Sequence, residues 1–89
     1  MKISEGFILK EIAGSYVVVP VGQNLVDFSS MITTNETGAF LWEKLQNNTT
    51  VDELCEAVMA EYQGVSREDA VSDIEEFINV LKEKNILEQ

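Results

Sequence analysis

The spacing of apolar residues changes from about two to about 3.6 residues within residues 31–45, and this change most constrains the fold. Residues 31–34 are short, mostly β-branched and alternating, which is typical of a half-buried strand. Asn35 follows, and its side chain is suited to cap the free N–H groups that open a helix. Apolar residues then recur at helical spacing, namely Leu41, Trp42 and Leu45. The sequence therefore predicts a strand that runs directly into a helix at Asn35.

Gly38 lies one turn before Trp42 in this predicted helix. Glycine inside a helix costs roughly 1 kcal/mol relative to alanine, so its presence needs a structural reason. The simplest reason is close approach, and we expect the start of the helix to pack tightly against other backbone. Trp42 itself is expected to anchor the core.

Length and charge narrow the possible classes of function. The 89 residues are enough for one domain spanning residues 1–89. Sixteen acidic and six basic residues give a net charge of −10, which repels nucleic acid and anionic membranes. No apolar run approaches the ~20 residues of a membrane helix, and charged residues interrupt the N-terminal run as no secretory signal would allow. We therefore expect a cytoplasmic protein with no nucleic-acid or membrane partner.

The N-terminal third reads as an antiparallel meander of three or four short strands. Residues 7–12 and 16–21 are rich in β-forming side chains, and residues 13–15 supply the turn between them. Pro20 lacks the N–H that a ladder needs, so the second strand should end near it. Residues 25–28 alternate again, and the pattern leaves open whether they form a strand separate from residues 31–34.

Three helices should follow the strands. The first spans about residues 36–46, and the second opens with a capping box of Thr50 and Glu53 and runs towards Gly64. Ser66 should cap the third helix, which runs to a stop near Asn85. The order β-β-β-α-α-α, with a short glycine-containing turn between the last two helices, predicts an α+β, winged helix-turn-helix-like domain.

Nothing in the sequence favours catalysis. The chain has one cysteine and no histidine, so neither a His/Cys metal site nor an activated thiol can be built. Cys55 should lie in the core beside Leu54 and Val58. The paired acidic residues on the helices are adjacent in sequence, so their side chains point in different directions on a helix. We expect them to lie on solvent-exposed faces. We therefore expect a non-enzymatic protein without a cofactor or metal.

The strongest candidate for a functional surface is the edge of the predicted sheet. Residues 31–34 carry neither lysine nor proline to guard that edge, so it can accept an extended peptide by main-chain hydrogen bonding. The third helix has a wider apolar surface than one core face requires. A groove between the two would combine ladder bonds with an apolar floor.

Three stretches resemble the PqqD-like family, which is named for a pyrroloquinoline quinone biosynthesis protein. They are the strand-to-helix junction ITTNETGAFLWEKL at residues 32–45, the helix opening TVDEL at 50–54, and the closing helix at 73–87 with EEF and LKEKNIL. The similarity extends over about residues 7–87. Thr34 stands where the family often has leucine, and residues 21–30 are longer than the family's compact turn.

This resemblance implies a winged-helix-like fold and a role in peptide recognition. Family members bind the leader of a ribosomally made precursor peptide and deliver its core to a modifying enzyme, often a radical S-adenosylmethionine enzyme. The leader is added as a strand beside the third strand and over the third helix. Carried onto this sequence, the strand side of the site is Ser30, Met31, Ile32, Thr33 and Thr34. From the helix pattern we place Ala70, Asp73, Phe77, Val80 and Lys84 on the opposite wall.

Two other classes of function remain open at this stage. A winged-helix regulator would bind DNA through the third helix, but residues 67–84 carry six acids and three bases, the wrong balance for phosphate contacts. A general interaction module would use the same sheet edge to form a homodimer.

Overall fold

The described chain begins and ends with a short strand. Between these two strands, three further strands precede three helices. The computed structural model describes residues 1–21 and 32–88. The elements, in order, are strands β1 (Lys2–Ile3), β2 (Phe7–Ile12), β3 (Ser15–Pro20) and β4 (Ile32–Thr34), helices α1 (Glu36–Lys44), α2 (Val51–Glu61) and α3 (Arg67–Glu83), and strand β5 (Leu87–Glu88).

Strands β2 and β3 form a tight hairpin. Ile12 pairs with Ser15, so only Ala13 and Gly14 lie in the turn, and both have positive φ, 52° and 83°. Positive φ at both central residues is the geometry whose twist matches that of paired strands. The ladder extends beyond the strands through a hydrogen bond of 2.8 Å from the Val21 N–H to the Gly6 carbonyl.

Strand β4 joins the other side of β3 to complete an antiparallel sheet in the order β2-β3-β4. Strand β3 ends at Pro20, as its missing N–H predicted. The α+β, winged helix-turn-helix-like fold, with a three-stranded antiparallel sheet and three helices, is confirmed. The undecided strand at residues 25–28 lies outside the described residues.

Each helix begins at the cap that the sequence predicted. The side chains of Asn35, Thr50 and Ser66 accept hydrogen bonds from the third backbone N–H beyond them, at 2.9, 3.2 and 3.1 Å. The capping box of α2 is only half formed, because the Glu53 carboxylate accepts a bond from the Thr49 hydroxyl. Helices α1 and α2 are shorter than expected, and the chain reverses at Gly64 and Asn85 with φ of 81° and 58°.

A second, two-stranded sheet joins the two ends of the described chain and was not predicted. Lys2 and Ile3 of β1 pair with Glu88 and Leu87 of β5. The Ile3 N–H also donates to the carbonyl of Leu45 at 2.8 Å, so β1 lies against the end of α1. Segments of two residues carry no periodicity that a sequence pattern could reveal.

The core lies between the sheet and the helices and contains Trp42 and Cys55, as predicted. On α3 the most buried apolar side chains are Ala70, Ile74, Phe77, Ile78 and Leu81. Val71, one position beyond Ala70, is half-buried. Within the described residues, no helix has the length and apolarity needed to cross a membrane.

Candidate functional site: the groove between strand β4 and helix α3

A cavity of about 380 Å³ lies between β4, the first turns of α1 and the middle of α3. Its floor is apolar, because Leu41 and Phe77 belong to the core and Ile32 packs against it. Polar side chains of β4 and α1 form one side. Residues of α3 spaced three and four apart form the other, so they share one helical face: Asp73, Glu76, Phe77 and Val80.

The edge of β4 beside this cavity is open among the described strands, since β4 pairs only with β3. The bond from Val21 to Gly6 and the tight turn at Ala13–Gly14 fix which residues of β3 face β2. Hydrogen-bonded and non-hydrogen-bonded pairs alternate along an antiparallel ladder, so Val17 directs its backbone groups to β2. Thr33, which lies opposite Val17, therefore directs its N–H and C=O away from β3, towards the open edge.

Gly38, in the first turn of α1, lies against Thr34 of β4 and lines the groove. A Cβ at this position would collide with the Oγ1 of Thr34 and would lie 2.9 Å from the Cβ of Thr34. The close approach expected of Gly38 is therefore present, but the neighbour is a threonine side chain and not backbone. Strand β4 and the first turn of α1 are thus held in contact across Asn35.

Helix α1 also packs against Tyr62, the residue that follows α2. The rings of Phe40 and Tyr62 meet edge to face, with their centroids 5.7 Å apart. Partial burial raises the pKa of Tyr62 above its usual value, the carboxylates of Glu36 and Glu61 add to the shift, and a hydrogen bond with Thr37 opposes it. The neutral phenol is therefore the form that packs here.

The model of the family described as "Coenzyme PQQ synthesis protein D (PqqD)" matches residues 15–87. The chain belongs to the PqqD family. The matched region contains β4, α3 and every other element that lines the groove, and the resemblance inferred from the sequence is confirmed.

A solved structure described as "TbiB1 in Complex with the TbiA(beta) Leader Peptide" is similar to this PqqD-family chain. The two chains are 26% identical, and the TM-score is 0.75. The similarity covers 99% of this chain and 95% of the TbiB1 chain, so it includes the whole domain. No curated protein matches the chain.

The structure of this PqqD-family chain brings six of the ten predicted site residues to the cavity: Ile32, Thr33, Thr34, Asp73, Phe77 and Val80. Ala70 is 0% exposed and packs in the core, so it presents no surface to a peptide. Lys84 is exposed at the end of α3, beyond the residues that line the cavity. Ser30 and Met31 lie outside the described residues. The peptide-binding role of this set stays a prediction.

Five further lining residues were missed: Asn35, Thr37, Gly38, Leu41 and Glu76. Glu76 follows Asp73 by three residues and precedes Val80 by four, so helical spacing was sufficient to find it. The lining residues at the start of α1 were harder to predict. The only sequence feature that indicated them was Gly38, and its close contact was expected with backbone, not with the Thr34 side chain. Among residues 1–21 and 32–88 no cluster of carboxylate or thiol side chains is arranged to hold a metal ion.

Proposed function

We propose that this PqqD-family chain binds the leader of a ribosomally made precursor peptide by strand addition at β4. The observation that carries the proposal is the open N–H and C=O of Thr33 beside an apolar-floored cavity. An incoming strand would form ladder bonds with Thr33. Because side chains alternate along a strand, every second side chain of the peptide would face the cavity. A leader-peptide complex of the similar protein TbiB1 supports this assignment.

The chain would act as a recognition protein and leave the chemistry to a partner. A strand held at β4 keeps only a short part of the precursor, so its remainder stays free to enter the active site of a peptide-modifying enzyme. A radical S-adenosylmethionine enzyme is the partner that the family resemblance favours. In this role the chain itself is not an enzyme, and it needs neither a cofactor nor a metal.

The test begins with random peptides about 12 residues long, which exceeds the usual length of a strand, displayed on phage and selected on the immobilised protein. Selected peptides are then titrated against wild type and Thr33→Pro. Proline removes the open N–H while leaving the bonds between β3 and β4 in place. We expect Thr33→Pro to weaken binding roughly tenfold or more, the equivalent of one lost hydrogen bond plus a steric clash.

Thr33→Ala is the matched control, because it shortens the same side chain but keeps the backbone N–H. It should bind the selected peptides nearly as well as wild type, and both variants should melt cooperatively. Equal binding by wild type and a folded Thr33→Pro would place the peptide elsewhere and refute strand addition at β4. A homodimer would occupy the same edge, so sedimentation with and without peptide distinguishes self-pairing from peptide capture.

A further inference from the structure

The groove carries negative charge that no group of the described protein neutralises. Asp73 and Glu76 line the cavity from α3, one helical turn apart. Within residues 1–21 and 32–88 the one ion pair is Asp52–Arg67, at 2.9 Å, and neither groove carboxylate has a hydrogen-bond partner. Both side chains are exposed and so are available to a ligand.

The other elements around the cavity add no positive side chain. The lining residues of β4 and α1 are uncharged. The N-terminus of α1 has its Gly38 N–H bonded to the Asn35 side chain, and Glu36 in its first turn adds a further negative charge. Lys82 and Lys84 lie at the far end of α3, outside the cavity lining. The cavity therefore presents negative charge at its rim and apolar groups at its floor.

We infer that this cavity receives a lysine or arginine side chain of the bound leader, an inference that rests on the proposed function. The methylene stem of such a side chain packs on Phe77 and Leu41, as long cationic side chains do on apolar surfaces. Its cationic head reaches Asp73 and Glu76 at the rim. Thr34 lines the same cavity, and its hydroxyl is of a type that can accept a further N–H donor.

The geometry also predicts where the basic residue lies in the peptide. In a strand added to β4, the side chains on the cavity side are those in register with Ile32 and Thr34, which are half-buried and line the cavity. The basic residue therefore has its cavity-side neighbours two positions away in each direction. These neighbours meet the apolar part of the groove, so the expected pattern is apolar-x-basic or basic-x-apolar.

The experiment compares peptide selections on wild type, on Asp73→Asn/Glu76→Gln, and on the control Glu75→Gln/Glu83→Gln. Both double variants remove two carboxylates from α3, but Glu75 and Glu83 do not line the cavity. Random phage-displayed peptides are the probe in each arm. Peptides selected on wild type should carry lysine or arginine at one position of the apolar-x-basic pattern, and those selected on Asp73→Asn/Glu76→Gln should not.

Titration of the wild-type peptides gives the second readout. Each single substitution at the rim should weaken binding up to about fivefold, the range of partly exposed ion pairs, and the double variant about tenfold or more. The control should lose less than about twofold. An equal loss in the control would assign the preference to net charge and overturn the inference. If the peptides selected on wild type lack basic residues but still bind Thr33→Pro more weakly than wild type, the inference about the cavity is overturned. Strand addition at β4 would then stand.

The proposed function fails in a different way. If the selected peptides bind a folded Thr33→Pro as tightly as wild type, strand addition is wrong, and the assignment of the cavity to a leader side chain falls with it. If no peptide is selected at all, both are rejected. A loss confined to Asp73→Asn/Glu76→Gln, together with the loss in Thr33→Pro, is the combined result that supports the inference.

Discussion

At the scale of single residues, Gly38 is the position where conformation and packing conflict. Glycine in a helix is usually a weakness, and alanine at such a position usually stabilises by up to about 1 kcal/mol. Here the space for a methyl group is taken by the side chain of Thr34. Thr34 is β-branched and short, so it cannot move away by rotating a distant part of its side chain.

Gly38→Ala should therefore destabilise the protein, by about 1–3 kcal/mol, as overpacking does. Thermal or denaturant melts measure the change. Thr34→Ala removes Oγ1 and Cγ2 and is the matched partner, so Gly38→Ala/Thr34→Ala should recover part of the loss, and the coupling energy of the double-mutant cycle should be favourable. A Gly38→Ala protein more stable than wild type would show that the helix start shifts to make room.

At the scale of elements, α3 contributes to two surfaces at once. Its core face contains Ile74, Ile78 and Leu81, while Asp73, Glu76 and Val80 face the groove. Phe77 belongs to both, because it lines the cavity and is only 9% exposed. Replacing Phe77 by alanine would cost about 3–5 kcal/mol of stability, so it would confuse unfolding with loss of binding.

Val80 offers a cleaner test of the helical wall, since it is 36% exposed. Val80→Ala should weaken binding of the groove-selected peptides about fivefold, because it removes two methyl groups from the apolar contact. Its melting temperature should stay within a few degrees of wild type. Asn79→Ala, on the adjacent exposed position, is the control and should leave affinity unchanged. Equal affinities for all three proteins would place the peptide away from α3.

At the scale of the whole molecule, stability depends on a small core shared by the sheet and the helices. Trp42 on α1 is the largest side chain of that core and is only 4% exposed. A domain of 89 residues has few other contacts to compensate for its loss. The free energy of unfolding is therefore concentrated in a handful of side chains.

Trp42→Ala should lower the free energy of unfolding by about 3–5 kcal/mol, and a protein of this size is then largely unfolded or only marginally folded. Trp42→Phe keeps most of the buried ring and should lose much less. Circular dichroism melts of the two variants measure the difference. A cooperative Trp42→Ala transition within a few degrees of wild type would show that the indole is peripheral to stability.

The net charge of −10 leads to a second prediction at this scale. A winged helix-turn-helix fold also suits DNA recognition, but α3 presents six acidic side chains between Arg67 and Glu83. We expect no binding of random duplex DNA at a physiological salt concentration of about 0.15 M, measured by fluorescence anisotropy. Micromolar binding that weakens steeply as salt is raised would contradict this and revive the regulatory interpretation.

The sequence predicted the features that local chemistry determines. The caps Asn35, Thr50 and Ser66 depend on one side chain and its nearest backbone, and the helical periods depend on spacing alone. It did not predict the pairing of β1 with β5, because ends so far apart in sequence meet only through tertiary packing. Ala70 was misplaced because its small side chain suits a core or a groove equally well.

Phe77 and Leu41 belong both to the core and to the floor of the cavity. This shared position has a consequence for the divergence of such proteins. Mutations of the floor change binding only at the expense of folding, so selection should hold it constant. The residues Asp73, Glu76 and Val80 at the rim are exposed and carry no comparable structural role. Retargeting this domain to a different precursor should therefore proceed by exchanging rim side chains, and a library restricted to the rim should yield new specificities without loss of expression.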